Sequence, residues 1–138
     1  MKAKLIFAAA ALAMCLVACE KKEEKPQVSN IEISEHKEML VDSLQESIEF
    51  VLQSGVLHVT HNNVLGSCET TEQLNIYCMI SNDSLYLIED DKSGPNCLFI
   101  YDLTYCISPF EAGIWNISLN NDTTFMVTID ETKRKVAL

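Results

Sequence analysis

Three groups of side chains in this sequence could do chemistry. They are the cysteines Cys68, Cys78, Cys97 and Cys106, the histidines His36, His58 and His61, and the carboxylate run Glu89-Asp90-Asp91. The cysteines are separated by 10, 19 and 9 residues and contain no Cys-x-x-Cys pair. Structural zinc sites use close-set pairs, so this spacing points to two disulfides instead. Four cysteines allow three connectivities. Cys78 and Cys106 fall mid-strand in the pattern below and Cys68 and Cys97 near strand edges, which suggests Cys68 with Cys97 and Cys78 with Cys106. His58 and His61 are three apart on a strand, where side chains alternate, so they face opposite sides and do not chelate one ion. Glu89, Asp90 and Asp91 are weak candidates for a cation loop, because calcium needs six to eight oxygens and a dedicated loop alternates its acids. There is no Gly-x-Ser-x-Gly, and bridged cysteines are not thiolate nucleophiles. The expectation is therefore no catalytic residues, no metal and no enzyme.

The overall balance narrows the function classes. The chain has 138 residues, the length of one domain. Twenty Asp and Glu against ten Lys and Arg give a net charge of −10. Such a chain repels phosphate backbones, so nucleic acid is not an expected partner. A hydrophobic share of 48% is too high for wholesale disorder. Between Met39 and Thr132 the only basic residue is Lys92, so the acidity belongs to the middle of the chain.

The N-terminus carries an address. Lys2 and Lys4 precede an apolar run from Leu5 to Val17, which is too short to span a bilayer as a helix and fits a signal-peptide core. The run ends Leu16-Val17-Ala18-Cys19, which resembles the lipobox of bacterial lipoproteins. That resemblance implies a signal peptide over 1–18, cleavage before Cys19 and a diacylglycerol on its thiol. It implies membrane attachment through that lipid, with no other cofactor. Two or more acyl chains anchor stably where one does not. Cys15 would leave with the signal. Processing removes two lysines and no acid, so the net charge becomes two units more negative. An envelope compartment permits disulfides.

Further pieces resemble one bacterial group. Lys22-Glu23-Glu24 resembles the surface-export signal of Bacteroidota lipoproteins, which leaves the domain either surface-exposed or facing the periplasm. Asp42-Ser43-Leu44, Asp83-Ser84-Leu85 and Asp122-Thr123-Thr124 look like that phylum's O-glycosylation motif, at Ser43, Ser84 and Thr123. Leu57-His58-Val59-Thr60-His61, Cys68, Cys97 and Tyr101-Asp102-Leu103 are similar to pieces of small Bacteroidota envelope lipoproteins with a β-sandwich domain. The likeness implies a location and a fold and no activity.

The elements that must position these residues are strands. Residues 19–46 read as a charged tether; within 34–47 the pattern fits either a short helix, on which Met39, Val41, Leu44 and Ile48 share a face, or a loop or irregular strand. Ser47–Gln53 and Val56–Asn62 alternate around the turn Ser54-Gly55 and predict a hairpin. Leu74–Ser81, Ser84–Glu89, Cys97–Ile107, Gly113–Leu119 and Thr124–Ile129 follow, separated by turn residues. The expectation is an all-β antiparallel sandwich, or a small barrel, of about seven strands over 47–130, with a basic tail over 131–138. Ile107-x-x-Phe110-x-x-Gly113-x-Trp115-x-Ile117 resembles the last hairpin of immunoglobulin-like modules, although Trp115 follows the four cysteines instead of lying between two. Phe50, Phe99, Tyr101, Tyr105 and Trp115 take core parity, whereas Tyr77 and Tyr86 are the candidates for an exposed contact. The function so implied is a membrane-anchored binding or structural module with an envelope protein or glycan partner. The competing class is a cation-binding or hydrolytic protein using the acidic loops.

Overall fold

A computed structural model describes residues 24–35, 37, 45–67, 74–91 and 98–138. They form nine strands and, among the described residues, no helix: β1 (Gln27–Ile33), β2 (Ser47–Gln53), β3 (Val56–Ser67), β4 (Leu74–Ser81), β5 (Ser84–Asp91), β6 (Leu98–Ser108), β7 (Gly113–Leu119), β8 (Thr123–Ile129) and β9 (Arg134–Ala137). Two sheets pack face to face. One has five strands in the order β1-β6-β3-β2-β9, and the other has four in the order β4-β5-β7-β8.

All seven expected strands are present, and their turn chemistry explains three of the hairpins. Ser54 and Gly55 both have positive φ, at 51° and 76°, as a two-residue turn matched to strand twist requires. Asn82, Asn120 and Asn121 take the same left-handed region at the β4–β5 and β7–β8 turns, which asparagine tolerates. The hairpins β2–β3, β4–β5 and β7–β8 are antiparallel in continuous register.

Four features differ from the sequence reading. Gln27–Ile33, inside the expected tether, is an edge strand on β6. It is mostly polar because only Val28 and Ile33 pack against the core. The expected basic tail contains β9, which pairs with β2 and packs Val136 inward. Strand β3 does not stop at Asn62-Asn63. It passes through a bulge between His61 and Val64, with Asn63 at φ 58°, and runs on to Ser67. The four-stranded sheet is mixed, since β5 and β7 are parallel. The chain between them crosses to the other sheet as β6, which removes the need for a tight reversal. Most of the segment 34–47, read as either a short helix or an irregular stretch, lies outside the described residues.

The core is the inward row of each strand. Ile48, Phe50, Leu57, Val59, Tyr101, Leu103, Tyr105 and Ile107 come from the five-stranded sheet. Leu85, Leu87, Ile117, Leu119, Val127 and Ile129 come from the other. Phe50 meets Phe125 across the interface at 6.1 Å between ring centres. Trp115 packs on Phe110 at 4.6 Å and is only half-buried.

Candidate functional site

The titratable residues divide among three places. The first is inside the sandwich. On β3, Leu57, Val59 and His61 share the inward row, and His61 is 2% exposed. Its Nδ1 lies 2.5 Å from Glu89 Oε1, and its Nε2 lies 2.6 Å from Glu46 Oε1. The Tyr105 hydroxyl donates to Glu89 Oε2 at 2.9 Å. Glu89 belongs to β5, so its carboxylate ties the two sheets together. A buried carboxylate requires a counter-charge, and a doubly bonded imidazolium supplies it. Burial opposes charge on His61, but the bonds to and charges of Glu89 and then Glu46 outweigh it and raise the imidazole above its usual range. Burial, followed by the Glu89 charge, pushes the Tyr105 phenol well up. Burial also raises Tyr101, with help from Asp91 and Glu89. Both His61 nitrogens are occupied, so the cluster joins the sheets and holds no nitrogen free for a substrate.

This arrangement also corrects the acidic-loop candidates. Glu89 points inward and is committed to His61 and Tyr105. Alternation along β5 turns Asp90 to the opposite face. The described residues contain no group of three or more His, Cys, Asp or Glu able to hold a metal ion. His58 and His61 do lie on opposite faces, as alternation requires.

The second place is the outer face of the five-stranded sheet. Cys106 sits there, opposite His58 in the β3–β6 register, while its neighbours Tyr105 and Ile107 face inward. Cys78 faces the other way, on the inward row of β4 with Ile76 and Ile80. Both thiols are free, so the expected Cys78–Cys106 bridge is not formed. The physical reason is parity: a layer of sheet separates the two sulfurs. Burial raises the Cys78 thiol, which donates to the Pro26 carbonyl at 3.7 Å. Cys19, Ser43, Cys68 and Cys97 lie outside the described residues.

The third place is the outer face of the four-stranded sheet. Its outward rows read Asn75, Tyr77, Met79, Ser81 on β4 and Ser84, Tyr86, Ile88, Asp90 on β5. They continue as Ile114, Asn116, Ser118 on β7 and Thr124, Met126, Thr128 on β8. Asp90 is the only charge among them. Tyr77, Met79, Ile114 and Met126 are between 54% and 68% exposed. Cross-strand register brings Met79 beside Tyr86, and Asn116 beside Met126. A shallow depression of about 410 Å³ opens among Tyr86, Asn116, Ser118, Thr124 and Met126. Tyr77 and Tyr86 are therefore on one outward face, as their parity predicted. Met79, Ile114 and Met126 were missed, although the same alternation places them there. Ser84 and Thr123 are half-buried at strand starts, and the Thr123 hydroxyl donates to Asp122 at 3.0 Å.

Comparison with family models, with curated proteins and with solved structures finds no match.

Proposed function

We propose that this chain is an envelope lipoprotein, anchored through a lipid on Cys19, whose sandwich is a binding module for another envelope protein. The supporting observation is the outer face of the four-stranded sheet, whose outward rows carry a single charge, Asp90, on a chain of net charge −10. Soluble domains rarely leave a contiguous apolar patch in water without a use for it. Tyrosine and methionine beside small polar residues is the composition of protein interfaces, where Met adapts its shape and Tyr adds area at low entropic cost. Sugar hydroxyls would find few partners over Met79, Ile114 and Met126, so a protein fits this face better than a glycan. The partner surface is apolar and nearly uncharged, since the face offers it only Asp90. Four strands at about 4.8 Å spacing and seven residues at about 3.3 Å give a footprint of roughly 450 Å². A stable complex buries about 800 Å² per partner, so the contact is of the transient class and is not a tight dimer of this chain.

The test is a photo-crosslinker placed at position 126 in intact cells, with position 51 on the opposite sheet as control. One discrete envelope protein joined at 126, absent at 51 and lost when Met79→Lys is added, supports the reading. Adducts equal from both faces, a self-adduct of the chain, or no adduct overturns it. Loss of the lipid from Cys19→Ser, read by mass spectrometry of membrane fractions, tests the anchor separately.

A bridge between Cys68 and Cys97 belongs to the same proposal. Their described neighbours Ser67 and Leu98 are register partners between β3 and β6, within the reach a disulfide needs. Peptide mapping without reduction should join Cys68 to Cys97, and two alkylatable thiols at those positions would remove the bridge.

A further inference from the structure

Three side chains from three adjacent strands converge on the outer face of the five-stranded sheet, on the opposite side of the sandwich from the proposed partner surface. Cys106 on β6 places its Sγ 3.4 Å from Nδ1 of His58 on β3. The Asn30 side-chain amide on β1 donates toward the same sulfur at 4.0 Å. The backbone is shaped for this. Edge strand β1 pairs Ser29 with Cys106 and then slips register before Glu32. Asn30 occupies that irregularity at φ 52°, a left-handed conformation, which turns its amide over the sulfur. Cys106 is 8% exposed.

A thiol alone at a strand position is inert; a thiol with an adjacent proton acceptor is not. We propose that Cys106 is a reactive thiol that takes small disulfides by thiol–disulfide exchange, with His58 as its proton acceptor and Asn30 as the group that holds the sulfur. The steps balance. The Cys106 thiol proton passes to His58 Nδ1, and the thiolate attacks one sulfur of the incoming disulfide. That S–S bond breaks, a mixed disulfide forms on Cys106, and the departing thiolate takes the proton from His58. No oxidant is needed beyond the disulfide itself. At 8% exposure Cys106 is accessible to a low-molecular-weight disulfide and not to one embedded in a folded protein. Val51 and Thr104 flank the thiol on this face, and exposed Glu32 is the register partner of Thr104, so a cationic disulfide is attracted to the site on this acidic chain.

Cys78 is an internal control. It too is a free thiol, but burial holds its proton and its contact is a backbone carbonyl. The experiment incubates the folded full chain with cystamine and follows each cysteine by peptide mass mapping. Cys106 should form the mixed disulfide at least roughly tenfold faster than Cys78, and His58→Ala should remove roughly that factor with melting unchanged. Asn30→Ala should slow the reaction less than His58→Ala does. Should His58→Ala unfold the chain, His58→Gln carries the same expectation, because an amide cannot accept and return the proton as imidazole does. Equal rates at Cys78 and Cys106, a Cys106 rate indifferent to His58, or Cys106 found bridged within the chain would each overturn the proposal.

Discussion

The two outer faces of this sandwich follow different rules. On the five-stranded sheet, charges are present and mostly answered. Lys37 bonds Asp102 at 2.7 Å and Asn63 Oδ1 at 2.9 Å, and Lys133 and Lys135 flank Glu49 at 3.9 and 4.0 Å. That is how a sheet lives against water, with charge discouraging edge-to-edge pairing. The four-stranded sheet has the same alternation and the same solvent, yet fills its outward rows with Tyr, Met, Ile, Asn, Ser and Thr and a single Asp, Asp90. Solubility alone explains the first face and does not require the second. The contrast teaches that the acidic net charge is distributed away from one surface.

The comparison depends on the sheets staying in register with each other, and the largest expected effect comes from breaking the bridge between them. His61→Ala leaves the Glu89 carboxylate, whose side chain is 4% exposed, without its counter-charge. Removing one member of a buried pair costs about 3–5 kcal/mol, to be read as a drop in urea midpoint. Glu46→Ala should cost less, because that side chain is 47% exposed. The pH dependence has a definite sign. A His raised in the fold contributes its full stabilisation below the unfolded histidine value near 6.5, and loses it as pH rises through the higher folded value. Melting temperature should therefore fall as pH rises above about 6.5, and His61→Gln should flatten that part of the profile. A wild-type profile that rises there would contradict the charged bridge.

The next effect separates the faces by function. Met126→Lys should leave stability within about 0.5 kcal/mol, since the side chain is 68% exposed. It should weaken the partner contact by roughly tenfold or more, as loss of an interface anchor does. Glu49→Gln on the other face should change neither by a comparable amount, because exposed ion pairs contribute about 0–1 kcal/mol. Equal weakening by both variants would erase the distinction between the surfaces.

How much of this was legible without coordinates follows one line, the alternation of side chains. Ile48, Phe50 and Leu52, or Phe99 through Ile107, declare their inward rows by apolar type, and the sandwich follows. The same rows already placed Cys106 outward beside Tyr105 and Cys78 inward beside Ile76, so a bridge between them was excluded by parity. Pairing cysteines by their position along a strand overlooked which way they point. His61 was placed on a strand, but it was not joined to its partners, because Glu46 and Glu89 lie 15 and 28 residues away. No local spacing encodes that meeting; it arises when the sheets stack. Strands β1 and β9 were hidden for a different reason. Edge strands bury little, so Gln27–Ile33 and Arg134–Ala137 have the composition of linkers and are held by backbone bonds to β6 and β2.

The smallest effect sharpens the account of the charged face. Lys37 and Asp102 are about equally exposed in their side chains, at 33% and 28%. They are not equal in what they hold. Besides Lys37, Asp102 Oδ1 accepts the Asn63 backbone N–H at 3.0 Å, in the bulge that lets β3 continue past His61. Lys37→Ala removes a partly screened ion pair and should cost below about 1 kcal/mol. Asp102→Ala also strips the bulge of an acceptor and should cost about 1 kcal/mol more. Asp102→Asn should recover most of that difference, because its amide oxygen can still accept from Asn63. Denaturant midpoints of the three variants decide it: if Asp102→Ala and Lys37→Ala are alike, the carboxylate serves the lysine alone, and the bulge is held by the register of β3 against β6.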